Sequence, residues 1–249
     1  MILRRIAGAL RRQDWFTVLV ETLIVVLGVF LGLQVNNWNE ARADRHREAI
    51  YLQGLAQDIR IDIADIDEII RVSTLRMSAM SYLLEQADGA PLPGGFDSAR
   101  GRIDIQPSSP YDANDPNTIG IAMFILTTLD GNRLTYDTMI NAGGIGIIRD
   151  AALARDIQTY YAHVDKALRF EDALRQNRVE LVDAQQEAGL SPVDATAADE
   201  LAAIFRSNAN MLAAAKNYWL YTNRHMKDMK ALRDEAERLA EKIESGASE

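Results

Sequence analysis

The chain has 249 residues, a formal charge of −9, no cysteine, and only 15 glycines and 6 prolines. Without cysteine there are no disulfides, no thiolate zinc sites and no cysteine nucleophile. The first 35 residues are net positive, so the remainder holds 23 basic against 34 acidic residues, a charge that repels nucleic acid phosphates and anionic lipid headgroups and argues against both as large-area partners.

Residues 1–14 form a basic tail carrying Arg4, Arg5, Arg11 and Arg12. Residues 15–38 follow as an apolar run that holds one charge, Glu21, and no proline between Phe16 and Val35. At about 1.5 Å per residue, about 20 helical residues match the ~30 Å hydrocarbon core of a bilayer. Trp15 and Trp38 stand at its ends as interface anchors, where amphipathic indoles prefer to sit. The expectation is one transmembrane helix with the bilayer as partner. Unopposed positive charge is denser before the run than after it, so the N-terminus is expected in the cytoplasm and the body beyond the inner membrane of a bacterium. A cleaved signal peptide is the competing reading, since Ala41-Arg42-Ala43 fits a cleavage site. The apolar run is too long for that, which favours an uncleaved signal-anchor.

Gly28 and Gly32 form a G-x-x-x-G pair that lets two helices approach closely. Glu21 precedes them by seven and eleven residues, within roughly 20° on a helical wheel, so the three share a stripe. This face is expected to associate with a second copy, giving a homo-oligomer. Two glycines four apart are also common by chance in membrane helices, and that reading stays open.

The segment Glu21 to Asp58 resembles a bacterial family of single-span membrane proteins of unknown function. The likeness rests on the glycine-bearing span, on Gln34, Trp38, Asn39 and Glu40, and on Tyr51, Leu52, Leu55 and Asp58. A looser second match runs from Thr138 to Asp150, with Tyr160 and Tyr161 downstream. The resemblance implies an architecture but no activity and no catalytic residues.

From residue 39 to the end the sequence predicts a soluble domain. Leu52, Leu55, Ile59, Ile66, Ile70, Met77, Met80 and Leu84 recur at helical spacing, so the first helix should run to about Gln86 with one face buried, in a bundle rather than a two-stranded coiled coil. Asp58, Asp62 and Asp65, with Asp67 and Glu68, are expected to form a solvated acidic face. Residues 88–117 are a proline- and glycine-rich loop in which 102–105 is a candidate short strand. Thr118 to Leu129 is an apolar candidate helix, and Leu134 to Asn141 a shorter one. Gly143, Gly144 and Gly146 lack the pattern of a nucleotide loop and fit a helix end before Asp150 caps the next helix.

Asp150 to Ala188 is a second long helix closed by Gly189. Thr196-x-x-Asp199 resembles a capping box ahead of a short helix, and a final long helix covers about Asn210 to Ser245. The predicted fold is all-α: one N-terminal transmembrane helix running into a soluble antiparallel bundle of about four long helices.

Three scattered histidines form neither His-Glu-x-x-His nor Glu-x-x-His, so no metal or other cofactor is expected, and no G-x-S-x-G marks a nucleophilic serine. The function expected is a membrane-anchored, non-enzymatic module of scaffold, assembly or sensor type. One alternative is an enzyme or small-molecule binder with a pocket near Tyr136, Asp137, Arg149 and Tyr160. The other is an accessory subunit bound to another membrane protein.

Overall fold

The computed structural model describes residues 15–89, 110–112, 119–191, 193–194 and 196–246, with the side chains of 15–18 and of Glu21 outside that description. Among the described residues all regular structure is helical and there is no strand. The elements are α1 (Trp15–Asp88), α2 (Ile119–Phe124), α3 (Leu134–Ala142), a 3-10 turn (Ile145–Ile147), α4 (Ala151–Glu187), α5 (Ala198–Ser207) and α6 (Ala209–Gly246). The expected tail over 1–14, the strand over 102–105 and most of the 88–117 loop fall outside the described residues.

The chain divides into two compact units, Met1–Ile50 and Tyr51–Glu249. In the first, α1 is long and apolar enough to cross a membrane, and none of its apolar window is buried. Every large apolar side chain from Leu23 to Val35 is exposed, from 48% at Leu27 to 65% at Val25. A water-soluble protein does not leave ten such side chains bare on one helix, because each costs roughly 1.5–3 kcal/mol that burial would recover.

In the second unit the chain direction follows from cross-helix pairs. Along α1, Arg60, Asp67 and Ser81 meet Glu244, Arg233 and Trp219 of α6 in turn. Along α4, Asp156, His163 and Glu171 meet Lys242, Glu235 and His225. Numbers rise on α1 and α4 while they fall on α6, so α6 runs opposite to both. Two helices pointing the same way need a return segment between them, and residues 89–150 supply it.

Among the described residues three helices of the second unit are long; about four were expected. The difference lies in that return segment. Thr118 to Leu129 becomes the six-residue α2 followed by irregular chain from Ile125 to Arg133. Its apolar side chains are buried or half-buried without a helical repeat, which composition alone cannot distinguish from a buried helix.

The ends are set locally. Asp150 Oδ1 accepts hydrogen bonds from the amides of Ala152 (2.7 Å) and Leu153 (3.2 Å) and caps α4. At the other end of α4, Gly189 (φ +75°) and Leu190 donate back to Gln186 and Gln185, the six-to-one and five-to-two pattern that a left-handed residue permits. The Thr196–Asp199 capping box does not form: Ala197 holds the N-cap of α5 without a side-chain bond. Asn208 instead caps α6, its Oδ1 accepting from the Met211 amide at 3.1 Å.

The core has two apolar halves. One gathers Leu55, Ile59 and Ile66 of α1 with Ile157, Val164 and Leu239; the other gathers Met80 and Leu84 with Leu174, Phe205 and Tyr218. Between them lies a polar layer. Ser73, Arg76, Glu171, Thr222, Asn223 and His225 are all buried there.

Candidate functional site

Two polar constellations hold the irregular segment 124–135 against the long helices, and neither is an exposed acidic face. Asp62 is fully buried and accepts from the Asn132 amide (2.8 Å), the Asn132 side chain (3.2 Å) and the Tyr160 hydroxyl (2.7 Å). One turn earlier on α1, Asp58 accepts from the Thr135 amide at 3.0 Å and so caps α3 from a neighbouring helix. The solvated acidic face is thus corrected for these two residues. Asp67 and Glu68 remain exposed and pair with Arg233 and Arg71. The signal was present in the spacing: Asp62 falls three and four residues from Ile59 and Ile66, in phase with the buried stripe.

Burial raises the Asp62 carboxyl above its ordinary range, against the opposing hydrogen bonds from Asn132 and Tyr160. Burial also raises the Tyr160 hydroxyl, with the Asp62 charge adding to it, so Tyr160 stays protonated and acts as a donor. Beside this pair, Tyr136 stacks on Tyr161 with ring centroids 4.1 Å apart. Arg133 lies over both rings, at 5.3 and 5.4 Å, and bonds Asp165 at 2.6 Å and Asp137 at 3.5 Å.

The structure therefore gathers Tyr136, Asp137 and Tyr160 into one neighbourhood, built around Asp62 and Arg133, which the sequence reading did not select. Arg149 is exposed in the stretch before α4. The cluster is closed, since Asp62, Tyr160 and Tyr161 have no more than 1% exposure. A carboxylate and a phenol in contact have the chemistry of a general acid–base pair; here both are buried, and Asp62 also ties down the irregular segment through Asn132.

The second constellation is the mid-core layer. Arg76 Nη1 donates to the Ile125 carbonyl (2.8 Å) and Nη2 to Ser73 Oγ (3.0 Å), while its guanidinium carbon lies 5.6 Å from the Tyr218 ring. Burial lowers the Arg76 pKa, partly opposed by Tyr218 and by the more distant Glu171. Glu171 accepts from the Leu129 amide through both oxygens (3.0 and 3.3 Å) and meets His225 Nε2 at 3.0 Å. Arg178 Nε donates to the Phe124 carbonyl at 3.0 Å. His225 is fully buried in this layer. His163 is exposed opposite Glu235, and His46 is exposed on α1.

In the span, Gly28 and Gly32 lie on α1 with no heavy atom within 4 Å of a Cβ built at either, so that stripe is open. Trp38 is 58% exposed, with the Arg42 guanidinium 5.9 Å from its ring centre. Trp15 and Glu21 belong to α1, but their side chains lie outside the described residues. Among the described residues no cluster of three His, Asp or Glu side chains has metal-binding geometry.

Open space is found instead along the seam of α4 and α6. A groove of about 430 Å³ there has a floor of Ala167, Phe170, Ala173, Ala231 and Leu232. Small residues on facing helices leave the seam unfilled.

A family of unknown function, DUF6090, matches residues 21–89. No curated protein and no solved structure matches the chain. The matched stretch takes in the apolar run and the part of α1 that carries Asp58, Asp62 and Arg76, and it ends before the return segment.

Proposed function

We propose that this chain is a non-enzymatic helical module held in a bacterial inner membrane by one uncleaved span, its N-terminus cytoplasmic and its acidic body beyond the bilayer. On this reading the body is an antiparallel bundle that scaffolds or senses, and copies associate through the face of Glu21, Gly28 and Gly32. The motif around Gln34, Trp38 and Glu40 marks it as one of a group of single-span proteins. The observation that carries the reading is the apolar run from Leu23 to Val35, which nothing among the described residues covers. A hydrocarbon environment is the cover that such a surface requires. The missing Cβ atoms at Gly28 and Gly32 leave room for a second helix to approach.

Two measurements test it. Membranes washed in alkaline carbonate should retain the full chain, and release into the supernatant would refute the anchor. Crosslinking in those membranes should give oligomers that fall at least fivefold when Gly28→Leu and Gly32→Leu are combined. An unchanged ladder would remove self-association through the span and leave the anchor standing.

A further inference from the structure

We propose that the groove between α4 and α6 binds an anionic amphiphile, a single apolar chain with a carboxylate or phosphate head. The apolar part would lie on the alanine floor against Phe170 and Leu232, and the head would be held by Lys166 and Arg169. This goes beyond the anchored-module reading and does not depend on span association.

The argument starts with charge. The α4 wall of the groove carries His163, Lys166 and Arg169; the α6 wall carries Arg224, Asp228 and Glu235. Both acids are already engaged, Asp228 with Arg224 at 2.8 Å and Glu235 with His163 at 2.7 Å. Lys166 and Arg169 have no acidic partner among the described residues, although both project into a groove whose opposite wall is acidic. Across the same seam Asp156 pairs with Lys242 at 2.6 Å and His163 with Glu235 at 2.7 Å, and these cross-helix pairs leave out Lys166 and Arg169. In a chain of charge −9, two cations within one turn that lack an acidic partner among the described residues favour an anion.

The floor supplies the other half of the ligand. Alanines at 167, 173 and 231 remove the side chains that would fill a helix–helix seam, and Phe170 is fixed as a wall by stacking on Tyr221 (5.7 Å) and His225 (6.3 Å). His225 is in turn held by Glu171, so the wall is braced by the buried layer. A cavity of about 430 Å³ falls within the ~300–1,000 Å³ of small-molecule sites, and an apolar lining with a few polar groups is the usual composition. A purely polar anion would leave the floor wet, and a neutral lipid would leave the cations unmatched. One head with one tail satisfies both.

The test uses the full chain in phosphatidylcholine nanodiscs and a decanoate carrying a diazirine on its tail, with labelled peptides mapped by mass spectrometry. Labelling is expected between Ala167 and Ala173 and around Ala231, competed by decanoate and by decyl phosphate but not by decanol or inorganic phosphate. The double variant Lys166→Gln, Arg169→Gln, both exposed and outside the core, should lower groove labelling at least fivefold while leaving the melting curve in place. Filling the floor with Ala231→Leu should lower it independently.

Four results of this labelling would each overturn the proposal, and a parallel arm supplies a fifth. These are labelling confined to the span, equal competition by decanol, no response to loss of the two cations, and loss of labelling on raising protein concentration, which would make the occupant a second copy. A parallel arm with diazirine-bearing phosphatidylglycerol in the nanodisc separates sources: label in the groove from that lipid in place of decanoate would refute a free single-chain ligand. Gly28→Leu with Gly32→Leu should leave groove labelling unchanged, so failure of span association and failure of this site read differently.

Discussion

At the scale of single residues, the chain places its polar groups where helical spacing would have put leucines. Asp62 continues the phase of Leu55, Ile59 and Ile66; Arg76 that of Ile69 and Ser73; Glu171 that of Val164 and Ala167. Burying such groups costs several kcal/mol each unless they are matched, and here each is matched to the irregular segment. Asp62→Ala strips the acceptor from the Asn132 amide and the buried Tyr160 hydroxyl, so it should destabilise the body by about 2–4 kcal/mol in urea denaturation. Asp62→Asn keeps an acceptor and should cost less.

The pH dependence has a definite sign. The folded pKa of Asp62 is raised above the ordinary aspartate value of 3.8, so the folded state binds that proton more tightly than the unfolded state. The cost of the buried charge is therefore present above the raised value and is relieved as pH falls through it towards 3.8. Stability of the wild type relative to Asp62→Asn should rise over that fall in pH. A difference that is flat or declines would show that the hydrogen bonds outweigh the desolvation.

Gly54 gives a second residue-level prediction. A Cβ there would stand 2.8 Å from Thr135 Cγ2, and Thr135 cannot retreat because its amide is held by Asp58. Gly54→Ala should destabilise despite the ~1 kcal/mol that alanine gains in a helix. Thr135→Ala should restore the lost stability in a double-mutant cycle.

At the scale of elements, the informative one is the stretch from Ile125 to Arg133, which has no ladder of its own. Its backbone groups are satisfied by side chains: the carbonyls of Phe124 and Ile125 by arginines, the amides of Leu129 and Asn132 by Glu171 and Asp62. Buried irregular chain is tolerable only with such partners. The helix periods of α1, α4 and α6 were legible because each shows its buried face every three or four residues. The caps at Asp150 and Gly189 were legible because their chemistry is local. The return segment was not, because Ile-Leu-Thr-Thr-Leu carries no period and its partners lie 42 to 70 residues away in sequence. Hydrogen exchange should therefore find the amides of Leu129, Asn132 and Thr135 protected although they belong to no hydrogen-bonded ladder of the segment itself. Glu171→Ala should speed Leu129 exchange at least tenfold and leave Thr135 slow, since Asp58 holds Thr135 separately. Equal acceleration at both would mean the segment opens as one unit.

At the scale of the whole molecule, the division at Ile50 separates two kinds of burial. Every residue of both apolar core halves lies at Leu52 or beyond. The apolar side chains from Leu23 to Val35 contribute nothing to either and stand exposed on α1. A chain cut to Tyr51–Glu249 loses the exposed apolar run and no residue of either apolar core half, so its stability should be close to that of the body in the intact protein. It should be soluble without detergent, strongly helical by circular dichroism, and cooperative in its melt. The same cut moved inward to Ile66 would remove Asp58 and Asp62 along with Leu55 and Ile59, and it should abolish the cooperative transition. If the Tyr51–Glu249 chain aggregated or melted without cooperativity while the full chain in nanodiscs did not, the first fifty residues would be contributing to the fold. The body would then not be an independent unit, and the separation of anchor from folded domain would fail.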